Sequence, residues 1–124
     1  MRLGVLDVGS NTVHLQVVDA YSGARPNPRT NLKIDLRLSE FISPEGLIVS
    51  EGVKQLRNAI RACVTEARKV KSEELLPFAT SALREAINGG EIIAQLNQEF
   101  EIDMQVLSGE EEAQITFQIG RAHV

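Results

Sequence analysis

Residues Leu3–Val8 are apolar at all but one position, the pattern of a central strand buried on both faces, and the exception is Asp7. The apolar pattern resumes from His14 to Ala20 after Gly9–Thr12, which predicts an antiparallel partner across a tight turn. Tyr21 to Thr30 carries Gly23, Pro26, Asn27 and Pro28 and reads as a connection. From Asn31 to Leu38, Leu32, Ile34, Leu36 and Leu38 alternate with Lys33, Asp35 and Arg37, predicting a third strand.

The period then lengthens. Val53, Leu56, Ile60, Cys63, Ala67 and Val70 share one helical face, so a helix is expected to run from a Ser50 cap to about Lys71 and to cover one face of the sheet. Glu51 suits its first turn, where the backbone dipole favours a carboxylate. Leu75 to Ala79 predicts a short strand. Thr80 to Arg84 predicts a polar exit into a helix that stops at Asn88-Gly89-Gly90. Ile92, Ile93, Leu96 and Phe100 line another helix, and Ile102, Met104 and Val106 alternate as a last strand. Ser108-Gly109 then opens a helix at Glu110-Glu111-Glu112. The expected class is α/β, a mixed five-stranded sheet with element order β-β-β-α-β-α-α-β-α.

At 124 residues, 43% of them hydrophobic, the chain suits one globular domain or one lobe of a larger one. A net charge of −4 argues against a broad nucleic-acid surface, although a local phosphate pocket needs only one or two cations and a few backbone N–H groups. The one cysteine allows neither an intrachain disulfide nor a thiolate zinc cluster, so a reducing cytoplasm is the simplest setting. Cys63 itself falls on the apolar helical face and is expected to be packing rather than a nucleophile. The amino terminus does not read as a signal peptide and no stretch approaches membrane-spanning length, so no membrane partner is expected.

Three polar junctions, Asp7–Thr12, Thr80–Arg84 and Ser108–Glu112, each follow a strand, and strand ends on one edge of an α/β sheet are where ligands bind. At the first, Gly9 allows close backbone approach, and Ser10, Asn11 and successive N–H groups could surround a phosphate oxygen. Asp7 would repel that oxygen unless a divalent cation, Mg²⁺ being the most suitable, lay between them. A hairpin turn that uses these residues for geometry alone is the alternative. At the second, Arg84 offers a permanently charged fork with Thr80 and Ser81 as donors, or else is a solvated neighbour of Glu85. At the third, the glutamates either stabilise a helix start or supply a base that deprotonates a water. His14 reads as a solvated or locally hydrogen-bonded imidazole.

Taken in order, DVGSNTVHL, FATSALREAIN and LSGEEEA resemble the Ppx/GppA family of exopolyphosphatases and guanosine pentaphosphate phosphohydrolases, within the actin-like (ribonuclease H-like) ATPase superfamily. The resemblance implies that Asp7 helps to hold Mg²⁺, that Gly9, Ser10 and Asn11 form a phosphate-binding turn with Thr80, Ser81 and Arg84, and that Glu112 is the catalytic base with Glu111 in support. It implies release of a terminal phosphate from inorganic polyphosphate or guanosine pentaphosphate. The family's second phosphate turn, an Asp-Gly-Gly-Gly-like motif in its other lobe, has no counterpart here, so residues 1–118 are expected to be a first lobe whose carboxy-terminal partner lobe is absent. The stretch Arg37-Leu38-Ser39-Glu40-Phe41 also departs from the glycines common after the family's Arg-Leu pair. The last six residues, Ile119 to Val124, match one reading frame of a short-read sequencing adapter, and a non-native tail is expected there. A noncatalytic actin-like lobe that binds a nucleotide or a protein partner is the rival reading. A kinase, the third, fits Ser108–Ala113 less well. Polyphosphate against guanosine pentaphosphate, and oligomeric state including a homodimer, stay open.

Overall fold

The computed structural model of the chain describes residues 2–19 and 27–107. Three strands open it: β1 (Arg2–Val8), β2 (Thr12–Asp19) and β3 (Asn27–Asp35). They are followed by α1 (Ser50–Lys69), β4 (Glu74–Ala79), α2 (Ser81–Glu85), α3 (Gly89–Phe100) and β5 (Gln105–Val106). The sheet order is β3-β2-β1-β4-β5, antiparallel from β3 to β1 and parallel from β1 to β5.

Strand periodicity explains the layering. Leu6 and Val8 pair across to Leu15 and Val13, all four have no exposed surface, and they share one face. Leu56, Ile60, Cys63 and Ala67 of α1 and Ile92, Leu96 and Phe100 of α3 join the same core. The expected apolar helix face is therefore the buried one, and burial raises the Cys63 thiol pKa to about 11. On the opposite face Leu3 and Val5 are half-buried and Asp7 is exposed. No helix among the described residues is long and apolar enough to cross a membrane.

Several boundaries differ from the periodicity reading. β3 begins at Asn27 and takes Pro28 into the sheet, which an edge strand tolerates because one side has no neighbour to accept an N–H. It ends at Asp35, because Arg37 turns into the left-handed region (φ 52°, ψ 48°) and a 3-10 turn spans Leu38–Phe41. Leu36 and Leu38 still reach the core, from a loop instead of a strand. Ser50 is the first helical residue and Val49 occupies the cap with no side-chain hydrogen bond.

The helix expected to stop at Asn88-Gly89-Gly90 ends at Glu85, and Gly89 opens α3. A Cβ on Gly89 would lie 1.9 Å from the Leu83 carbonyl oxygen, so glycine is required there for close approach of the two helices. Asn88 does not cap α3 with its side chain. Its amide instead accepts the Ile48 N–H (2.9 Å) and donates to the Ile48 carbonyl (3.0 Å), as a neighbouring strand would. The last strand is reduced to Gln105–Val106, with Met104 buried on its approach. The final expected helix, Glu110–Glu112 and the tail 119–124 lie outside the described residues.

Candidate active site

The carboxyl ends of β1 and β4 are adjacent because the two strands run parallel, Val8 standing beside Ala79. This brings the first two polar junctions together. Gly9 closes the β1–β2 turn by donating its N–H to the Thr12 carbonyl (2.9 Å), and its backbone is not left-handed. A Cβ at Gly9 would stand 3.8 Å from the Thr80 hydroxyl, which places the two junctions in near contact. Ser10 joins them directly, its Oγ accepting the Ala82 N–H of α2 at 3.2 Å.

Thr80 is buried, with 4% exposure, and both its N–H (3.0 Å) and its hydroxyl (3.3 Å) point to the Val8 carbonyl. A hydroxyl has one proton to donate, so in this conformation Thr80 fastens β4 to β1. Ser81 begins α2. Asn11 is exposed at the tip of the turn, where its carbonyl accepts the N–H groups of Leu36 (2.8 Å) and Arg37 (3.1 Å). Its side-chain oxygen accepts the Ser39 hydroxyl (3.0 Å), and the Ser10 carbonyl accepts the Ser39 N–H (3.3 Å). The left-handed Arg37 loop thus braces the turn from the other side. Beside it lies a cleft of about 350 Å³ walled by Asn11, Thr12, Asp35, Arg37 and Glu40. A second hollow, about 360 Å³ between α1 and α3, is lined by no residue of Asp7–Thr12 or Thr80–Arg84.

Asp7 points away from the helix-covered core, in one cross-strand row with Lys33, His14 and Phe78. The His14 Nε2 is hydrogen-bonded to the Asn31 side-chain oxygen, the local arrangement expected for it. One exposed carboxylate at the end of β1 could serve as a single protein ligand to Mg²⁺, an ion that ordinarily keeps several of its waters. Among the described residues no cluster of three or more His, Cys, Asp or Glu offers a fully protein-built metal cage.

Arg84 lies on α2, 28% exposed, and donates from Nη1 to the Leu107 carbonyl at 2.6 Å. Its Nη2 is 3.8 Å from the exposed Glu85 carboxylate. Leu107 is buried and also donates its N–H to the Ala79 carbonyl (3.0 Å). The chain just before the third junction therefore contacts the second, while Ser108–Glu112 lies outside the described residues. The contributions of Ser39 and of the Leu107 carbonyl had no sequence signal, since one is a common loop residue and the other a backbone atom.

This mixed sheet, with three antiparallel strands continued by parallel ones and ligand-type loops at the carboxyl ends, defines a lobe of the actin-like ATPase class. Its solved likenesses agree. An exopolyphosphatase from Cytophaga hutchinsonii superposes with a TM-score of 0.85 at 27% identity, over 92% of this chain and 36% of that one. The Aquifex aeolicus Ppx/GppA family member superposes at 0.83 with 20% identity, over 90% of this chain and 36% of that one, and speaks for the fold.

The sequence profile of the Ppx/GppA phosphatase family matches residues 17–123, and the chain belongs to that family. It is 44% identical over 117 residues to Exopolyphosphatase 1 of Mycobacterium tuberculosis, a match covering 94% of this chain and 34% of that protein. The chain thus spans about a third of the length of the curated relatives it matches.

Proposed function

We propose that the chain is the first lobe of a phosphohydrolase that releases terminal phosphate from inorganic polyphosphate or guanosine pentaphosphate. The observation that carries this reading is the convergence of the first two junctions: Ser10 of the β1–β2 turn is bonded to α2, the element that carries Arg84. The exopolyphosphatase names of its relatives favour polyphosphate.

In this reading the Gly9–Asn11 turn, Ser81 and Arg84 receive phosphoryl oxygens. The Arg84 guanidinium offsets charge that grows in the transition state. A Mg²⁺ ion held by Asp7, substrate oxygens and water would supply further positive charge when bound. Glu112, supported by Glu111, takes a proton from the attacking water as its oxygen bonds to phosphorus. The phosphoanhydride bond then breaks and its electron pair leaves on the shortened chain. A second lobe closes the cleft from the far side.

The test is phosphate release from long-chain polyphosphate with Mg²⁺. It compares this chain with a version continued into a second lobe, each with and without Glu112→Gln. The continued protein should turn over and lose about 10²–10⁴-fold in kcat on substitution, the usual worth of a positioned base. A continued protein that binds polyphosphate or nucleotide without hydrolysis, whatever stands at position 112, would establish the noncatalytic binding lobe instead.

A further inference from the structure

Among the described residues Arg37, Lys71 and Glu101 are the non-glycine positions with left-handed backbone. Lys71 and Glu101 stand at the carboxyl ends of α1 and α3, where such a residue is an ordinary way to stop a helix. Arg37 ends no helix. It follows β3 at φ 52°, a conformation that glycine takes at lower cost, so the backbone by itself does not call for arginine. Its neighbours fix it there. Leu36 and Leu38 on either side are buried in the core, and the Arg37 N–H is held by the Asn11 carbonyl at 3.1 Å. That anchorage sends the side chain outward, 73% exposed, onto the wall of the cleft it shares with Asn11, Thr12, Asp35 and Glu40.

Asn11 belongs both to this cleft and to the Gly9–Asn11 turn, so the two are continuous. The Arg37 Nη1 stands 3.7 Å from Glu40 Oε1, and a pair this exposed is weak enough for a stronger anion to displace the carboxylate. With Asp35 also on its wall, the cleft sets one cation against two carboxylates, a poor balance for capturing a free anion. It suits the continuation of a polyanion whose end is already fixed at the turn, because the second contact is then intramolecular. We propose that Arg37 forms a second phosphate subsite, taking a phosphoryl group further along a polyphosphate chain whose terminal group lies at the Gly9–Asn11 turn, with Glu40 as the carboxylate that the chain displaces. The subsite rests on the phosphohydrolase reading. The planar guanidinium fork matches two phosphate oxygens, and its charge is permanent.

Titration of the chain with long-chain polyphosphate, and separately with orthophosphate, tests the subsite. Arg37→Gln should weaken polyphosphate binding about tenfold, the worth of one charge-assisted hydrogen bond, while orthophosphate binding, however weak, stays within twofold. Glu40→Gln should tighten polyphosphate binding severalfold, and that gain should shrink when Arg37→Gln is also present. Arg61→Gln, which removes the same charge from α1 outside the cleft, should change binding less than twofold. A loss at Arg37 no larger than that at Arg61 would overturn the subsite, and so would an equal loss for orthophosphate, which would put Arg37 at the terminal group. Ser10→Ala separates the two readings: polyphosphate binding that falls with Ser10→Ala but not with Arg37→Gln removes the subsite alone. Binding indifferent to both, or absent from the unsubstituted chain, removes the subsite and counts against the phosphohydrolase reading with it.

Discussion

The two ends of the sheet both carry charged and polar groups, and they treat them differently. At the amino end of β1, Arg2 pairs with Asp19 at 2.8 Å, with the Asp19 side chain only 4% exposed. Arg2 also donates to the Val70 carbonyl, and its own carbonyl accepts the Glu73 N–H (2.9 Å). That end is closed by bonds between strands and the end of α1. At the carboxyl end, Asp7 and Asn11 are exposed, and the bonds that organise the turn run mostly through backbone, leaving polar side chains at the surface. Charge at the first end serves folding. At the second, in the proposed function, it serves binding.

If that contrast is right, substitutions at the two ends should separate stability from binding. The largest effect is expected for Arg2→Met, which leaves the buried Asp19 carboxylate without this cation. It should cost about 3 kcal/mol and lower Tm by about 10 °C or more in thermal denaturation, with polyphosphate affinity unchanged once folded. Ser10→Ala removes the acceptor for the Ala82 N–H and should cost about 1 kcal/mol in urea denaturation, yet weaken polyphosphate binding about tenfold by calorimetry. Asn11→Ala loses only an exposed bond to Ser39, so its stability cost should stay within about 0.5 kcal/mol while binding still falls severalfold. Equal affinity losses at Arg2 and Ser10 would erase the distinction between the ends.

Cys63 calibrates the covered face and should give the faintest signal. With its thiol pKa raised to about 11 by burial, its reaction with Ellman's reagent at pH 8 should be slower than that of a free cysteine by on the order of a hundredfold. The same shift has a definite sign for stability. The unfolded thiol ionises first, near 9, so the stabilisation is complete below that pH and is lost as pH rises through about 11. Cys63→Ala should remove that part of the alkaline pH dependence in denaturation midpoints.

Much of this was legible along the chain. The apolar alternation of β1 and β2 and the 3.6-residue stripe of α1 identified the core residues, because each element's buried face is dictated by its own repeat. The three ordered motifs led to the family. Less legible were the places where a residue answers to something far away. Gly89 reads as a helix stop, but its role comes from the Leu83 carbonyl of the preceding helix. Ile102–Val106 alternates like a full strand, but only Gln105 and Val106 pair with β4. Thr80 reads as a phosphate donor, but its hydroxyl proton is taken by Val8, 72 positions away.

By itself, then, the sequence determined the type and order of most elements, the helix face that would be buried, and the polar turns that follow the strands. These follow from repeats and residue types within a few positions of one another. Only the tertiary structure decided which polar groups meet: Ser10 with Ala82 across 72 positions, Ile48 with Asn88 across 40, and Arg84 with Leu107 across 23. Hydrogen bonds depend on distances of about 3 Å and on direction, and the crossovers that bring β4 beside β1 and β5 beside β4 set those distances, which no local pattern encodes.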